Sequence, residues 1–322
     1  MIKHTLGKTG LEISVLGYGA WGIGGSMWIG ADDDESLRAL RRAIELGVNF
    51  IDTAAGYGAG HSERLVGRVV RDAAETVYVA TKIPPKNMQW PARAGVHAAD
   101  AFPAEWVVEQ TEASLERLGL ETIDVQQFHV WSDEWVDQGD WLDAIEKLKR
   151  AGKIRAFGVS INDHQPANAV QLVESGHVDT VQVIYNVFDQ SPEDELFPAV
   201  EAANVGVIAR VPLDEGSLAG RIRPDTEFPD GDFRHRYFAG DRKQQAWEHA
   251  QAVAADLHVP VDELAETALR FCVTHPAVSA AIPGMRSVRN VERNAAAVER
   301  GPLSEEQLVA LRPHRWVRNF YE

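Results

Sequence analysis

Short β-branched runs alternate with amphipathic helical stretches at an even step along the chain, and this alternation limits its fold more than any other feature. The runs are LGYGA, VNFID, VYVATK, TIDVQQFH, RAFGVS, TVQVIYN, VGVIARV and AVSAAIPG, eight in all. Between them lie helical patterns such as AEWVVEQTEASLERLG and DDESLRALRRAIELG; the latter spaces Leu37, Leu40 and Ile44 helically, with Asp33 or Asp34 as cap. Strands and helices in this order build βαβ units with parallel pairing. No Ser/Gly stretch or charge run divides the 322 residues. The expectation is therefore a single α/β domain over 1–322, a (β/α)8 TIM barrel with extra helices. An N-terminal β-hairpin, KHTLGKTGLEIS, turned between Gly7 and Gly10, should precede it.

Charge narrows the partners. With 32 Lys+Arg against 48 Asp+Glu the formal net charge is −16, which repels phosphate backbones and anionic lipid. Neither nucleic acid nor membrane is expected as a partner. The one cysteine, Cys272, lies in the helical pattern LAETALRFCV, which excludes an intramolecular disulfide and a multi-Cys metal site and suits a buried small hydrophobe. MIKHTLGKTGLEIS has no apolar h-region and no run approaches about 18 apolar residues, so a cytoplasmic home is expected. Nothing in the sequence signals an oligomeric state.

A closed parallel barrel carries its chemistry on the loops at the C-terminal ends of its strands. Asp52 ends VNFID, Lys82 ends VYVATK and His129 ends TIDVQQFH; Ser160 and Arg210 sit at the ends of later runs, with Gln182 and Asn186 in or after TVQVIYN. Any one alone reads as a turn cap or a solvated charge. Three different polar groups closing three neighbouring apolar strands do not. Tyr57 follows five positions after Asp52, flanked by Gly56 and Gly58, which let a short loop fold back over the strand ends. A phenol titrating near 10 serves at neutral pH only beside a cation, and Lys82 is the cation available. Asp52 would hold that lysine charged, and His129 could donate to the oxygen that the phenol protonates. Such a set delivers a proton to a carbonyl oxygen; it contains no nucleophile and no metal cage. Gly17, Gly19 and Gly22 fit GxGxxG, but IGGSMWIGAD continues as loop where a dinucleotide fingerprint must open a helix.

Along nearly its whole length the chain resembles an aldo-keto reductase. LGKTGLEISVLGYGAWGIGG is similar to that family's opening, NFIDTAAGYGAGHSERLVG to its catalytic-loop motif, VYVATK to its lysine strand and IDVQQFHVW to its histidine strand. GVSIND, VQVIYN, VIARVPLDEGSLAG and AAIPGMRSVRNVERNAA resemble its later cofactor-binding segments. The resemblance implies Asp52, Tyr57, Lys82 and His129 as catalytic tetrad, and NADP(H) as cofactor, with NAD(H) the alternative, bound without a Rossmann domain. It implies Ser160 and Gln182 at the nicotinamide carboxamide. Arg210 stands where the family often stacks an aromatic, and a planar guanidinium can stack there too. Pro212, Leu213, Gly216 and Ser217 would cover the pyrophosphate, with Gly284, Arg286 and Asn294 towards the adenosine. Two positions depart from the pattern: the family's Ser-Asn pair reads Ser160-Ile161, with Asn162 one place on, and Arg293 stands where Glu is common.

The substrate is expected to be a small-molecule carbonyl or sugar. Trp21, Trp28, Trp90 and Trp131, with Trp135, fall on loops at the expected mouth and would wall a pocket, with Asp133, Glu134 and Asp137 as acceptors beside them. RPDTEFPDGDFRHRYFAGDR has weak periodicity and reads as a lid or packed excursion. Two rival readings stand beside that of a reductase: a nicotinamide-nucleotide-sensing binding module of the same fold with little turnover, and a metal-dependent barrel hydrolase, which needs clustered His and Asp ligands that the sequence does not show.

Overall fold

The computed structural model describes residues 1–322. A hairpin of β1 (Lys3–Thr5) and β2 (Glu12–Ser14) comes first. Eight parallel strands follow: β3 (Tyr18–Gly19), β4 (Phe50–Asp52), β5 (Tyr78–Ile83), β6 (Ile123–Phe128), β7 (Ile154–Ser160), β8 (Thr180–Ile184), β9 (Gly206–Arg210) and β10 (Val278–Ala281). Each pairs with its neighbour in chain order. Parallel bridges Leu16–Ala281 and Gly19–Gly284 bring the first strand against the last, and Gly17 N donates to Ala281 O at 2.8 Å. The sheet thereby curls round on itself as a (β/α)8 barrel with the expected hairpin.

Period-two alternation decides what fills the barrel. Phe50, Ala80, Val125, Ala156, Ile208 and Ala280, one from each of six strands, form a buried apolar layer, sealed below by Leu6, Leu11 and Ile13 of the hairpin. Gly7 fits this plug because it adopts φ +50° and an added Cβ would lie 2.2 Å from Gly206 N. Two residues further along, four of these six strands place polar side chains, Asp52, Lys82, Gln127 and Arg210, while Gly158 and Ile282 occupy the corresponding positions of the other two. A second, larger core packs the helices around the barrel wall.

The helix Asp33–Glu45 buries Leu37, Leu40 and Ala43, and its cap is Asp32, which accepts from Glu35 N at 2.8 Å, one residue before the expected pair. Ile44 is only half-buried. Four helices lie beyond the alternation: the short Ala98–Ala101, Phe233–Tyr237 inside the expected excursion, Arg242–Asp256, and Glu305–Leu311. No helix is long and apolar enough to cross a membrane.

Candidate active site

The polar layer gathers at the C-terminal mouth. Lys82, 0% exposed, has its Nζ shared among three acceptors: Asp52 Oδ1 at 2.5 Å, Thr53 O at 2.9 Å and Tyr57 Oη at 3.3 Å. Tyr57 is brought there by the loop after β4, whose Ala55 N donates to Lys82 O. Gly58, at φ +62°, lies so close to the loop after β3 that an added Cβ would meet Gly24 O at 2.0 Å. The His129 ring stands 5.7 Å from the Tyr57 ring, edge on, and its buried Nδ1 has no partner. The four residues expected as a tetrad therefore come together.

Their electrostatics follow from burial and neighbours. Burial pushes the Tyr57 phenol upward; Lys82 and Arg210 oppose that shift and Asp52 adds to it. The net direction is upward, which corrects the expectation that Lys82 would bring the phenol below its ordinary value. For Lys82, burial favours the neutral amine, but Asp52 and Tyr57 outweigh it and hold the ammonium above the usual lysine range. Burial, Lys82 and Arg210 hold His129 well below the usual imidazole range, so it is neutral.

Around this set, Trp21 and Trp90 flank the mouth, with ring centroids 6.3 Å from Tyr57 and 6.0 Å from His129. Trp28 packs edge-on to Trp21, with the Arg234 guanidinium 4.3 Å and that of Arg286 5.6 Å from its ring. The excursion closes over these rings through Phe233, 5.1 Å from Trp21, and its backbone is tied down by Phe233 N donating to Met27 O. Trp131 is a correction. It is 0% exposed inside a cluster of Phe128, Trp135 and Trp141 behind the barrel wall, because its indole N–H is held by Asp133, so it lines no pocket; Trp135 shares that cluster.

The family model of the Aldo/keto reductase family matches residues 15–315. The chain is 32% identical to aldo-keto reductase YhdN of Bacillus subtilis over 85% of this chain and 79% of that one. Among solved structures it is similar to an aldo-keto reductase of Bacillus halodurans in its holo form, with 26% identity, all of both chains covered and a TM-score of 0.76. A Klebsiella pneumoniae aldo/keto reductase in complex with NADP and acetate gives 26% identity, 99% and 98% coverage and a TM-score of 0.69. The chain belongs to the aldo/keto reductase family.

This aldo-keto reductase, an oxidoreductase by family, carries its remaining expected residues on the far side of the mouth. Ser160 is buried in register with Gln182 across β7 and β8. Gln182 Nε2 donates to Asp52 Oδ2 at 2.8 Å, a bond that the sequence did not suggest. Arg210 Nη2 donates to Ile161 O and to Asp163 Oδ1 at 2.7 Å, while its Nε is buried without a partner. Asn162 is tied to the loop carrying Trp90, exchanging hydrogen bonds with the Ala92 backbone. Pro212, Leu213, Gly216 and Ser217 lie on a tight loop in which Val211, Asp214 and Glu215 all have positive φ, and Ser217 Oγ is buried without a partner. Gly284 is exposed, Arg286 is half-buried with Nη1 on Ile29 O at 3.1 Å, and Asn294 is buried in the helix Val288–Glu299, while Arg293 faces solvent.

Two groups were missed. Gln127 donates to Asp52 Oδ2 at 3.2 Å, and it stands two residues before His129, so the strand period already placed it on the same inward face. The C-terminal residues 316–322 cross the mouth, where Arg318 pairs with Asp214 and Tyr321 Oη donates to Glu215 Oε1 at 2.5 Å. Strap and loop are about a hundred residues apart in sequence, and no local pattern links them.

Proposed function

We propose that this aldo-keto reductase is an NADP-dependent enzyme transferring hydride between nicotinamide and a carbonyl carbon of an aldehyde, ketone or aldose, with Tyr57 as general acid and base. One observation carries the reading: the buried Lys82 ammonium is hydrogen-bonded at once to Asp52 and to the Tyr57 phenol. Burial keeps the phenol protonated at neutral pH, the form that donates to a carbonyl oxygen in reduction. Lys82 and Arg210 counter the cost of the phenolate that is left. Neutral His129 offers an N–H to the same oxygen without itself adding charge.

NADPH, when bound, supplies the hydride. In this reading Ser160 and Gln182 take the carboxamide, Arg210 stacks on the nicotinamide, and Pro212, Leu213, Gly216 and Ser217 cover the pyrophosphate. Gly284, Arg286 and Asn294 hold the adenosine end. The buried unpartnered donors Ser217 Oγ and Arg210 Nε fit an anionic, amide-bearing ligand, as does the open space where a Gly284 Cβ would stand. The NADP complex of the Klebsiella relative supports NADP(H), with NAD(H) as the alternative. Trp21, Trp28 and Trp90 suit the apolar face of a small carbonyl or sugar. We also propose that 1–322 acts as one barrel domain. The compartment we propose is the cytoplasm, in keeping with the free thiol of buried Cys272.

A screen of aldehydes, ketones and free sugars with NADPH and with NADH, followed by nicotinamide absorbance, tests the reading. Multiple turnovers abolished by Tyr57→Phe support it. Tight cofactor binding with no turnover on any class overturns it in favour of a nucleotide sensor.

A further inference from the structure

Inside a barrel whose layer below is wholly apolar, two glutamine side chains are completely buried beside Asp52. Gln127 is 0% and Gln182 1% exposed. Buried amides are costly unless their hydrogen bonds are met, and branched apolar side chains would fill the same space at less cost. Here the bonds are met by one another and by a single carboxylate oxygen. Gln182 Nε2 donates to Asp52 Oδ2 at 2.8 Å and to Gln127 Oε1 at 3.3 Å, and Gln127 Nε2 donates to the same Oδ2 at 3.2 Å. The triangle leaves Asp52 Oδ1 to Lys82 alone among side chains. Neighbouring strands are shaped to admit it: Gln127 stands opposite Lys82 on one side and Gly158 on the other, and an added Cβ at Gly158 would press to 3.2 Å from Gln127 Cγ.

We propose that Gln127 is a positioning residue of the proton-delivery set. It does not touch the phenol or the imidazole. With Gln182 it fixes the rotation of the Asp52 carboxylate, so that Oδ1 stays under the Lys82 ammonium and the ammonium stays on the Tyr57 oxygen. Gln182 completes the same triangle, so the residue expected at the cofactor carboxamide is also bonded to the carboxylate that orients Lys82. The inference rests on the proposed function for its kinetic arm, and on hydrogen bonding alone for its second arm.

Gln127→Met keeps the length of the side chain and removes both polar atoms of its amide. Its kcat is expected to fall about tenfold, with NADPH affinity within about twofold of wild type and the rising limb of the oxidation profile moved to higher pH. In the Asp52→Asn background the same change should cost almost nothing further, because the group it positions is already gone. Urea unfolding of the cofactor-free proteins should show the same non-additivity. If Gln127→Met does not fold, Gln127→Asn, which withdraws the amide by one methylene, is read in the same way. Wild-type kcat and pH profile in the variant, or effects of Asp52→Asn and Gln127→Met that multiply, overturn the proposal. A wild-type protein that reduces no carbonyl overturns the function instead, and leaves the unfolding cycle to decide on Gln127.

Discussion

Lys82 approaches Tyr57 from within the barrel, its Nζ donating to the phenol oxygen at 3.3 Å and lying 5.0 Å from the ring centroid. A charge so placed stabilises the phenolate more than the phenol, and the expected pH shift on removing Lys82 follows from that difference.

Tyr57→Phe keeps the ring that packs beside Trp21 and His129 and removes only the acid. Loss of a positioned general acid costs about 10² to 10⁴ in rate. Steady-state kinetics should show that loss with cofactor affinity preserved. A Phe enzyme at wild-type rate would show that the proton comes from elsewhere.

Lys82→Met removes the charge that opposes the upward push of burial on Tyr57. The phenol should then titrate higher, and the rising limb of alcohol oxidation, which needs the phenolate, should move to higher pH as turnover falls. Asp52→Asn removes the charge that holds Lys82 as an ammonium but also Asp52's own upward push on the phenol, so its shift of the profile should be smaller than that of Lys82→Met. A profile unmoved in Lys82→Met would assign that limb to another group.

The barrel and the gathering of Asp52, Tyr57, Lys82 and His129 at its mouth were legible for a shared reason. Strand period and strand-end position are local properties of sequence, so VNFID, VYVATK and TIDVQQFH announced Asp52, Lys82 and His129 together. Gln127 obeyed the same period but lies two residues inside the run that His129 ends, so a reading of run ends passed it over. Trp131 misled because a loop tryptophan looks alike whether it turns to the mouth or, as here, under Phe128 and Trp141. The strap joining Arg318 and Tyr321 to Asp214 and Glu215 depends on contacts distant in sequence, which no local pattern encodes.

That strap carries a pH dependence. Burial pushes the Glu215 carboxyl up to about 7; the Tyr321 hydrogen bond and Arg210 pull it down, while Asp214 and Asp163 add to the rise. A carboxyl whose folded value lies above its unfolded one stabilises the fold fully below the unfolded value, near 4.5, and that contribution is lost as pH rises through about 7. The loss amounts to about 3 kcal/mol at most. Between pH 5 and pH 8, at buffer values chosen to bracket that range, the thermal midpoint of wild type should fall more than that of Glu215→Gln. Parallel curves for the two proteins would remove Glu215 as the source.

Arg286 should decide between the two nicotinamide cofactors. It stands just before Ser287, which caps the helix Val288–Glu299, so the end of that helix already favours an anion. Its guanidinium is half-buried against Trp28 and makes one hydrogen bond, to Ile29 O, with no carboxylate within ion-pair distance. Burial, and after it the nearby Arg234 charge, lowers its pKa from the usual arginine value, as expected of a cation not yet matched by an anion. The adenosine 2′-phosphate that distinguishes NADPH from NADH would supply that charge. A charge-assisted contact of this kind is worth about 1.5 to 3 kcal/mol, or roughly tenfold to a hundredfold in affinity. Arg286→Ala should therefore weaken NADPH by that factor in a fluorescence titration and leave NADH almost unchanged. The gap should narrow at high salt, where a partly exposed ion contact is screened. Wild-type protein that binds both cofactors equally, or a variant weakened equally for both, would mean that Arg286 serves only to hold the loop at Ile29.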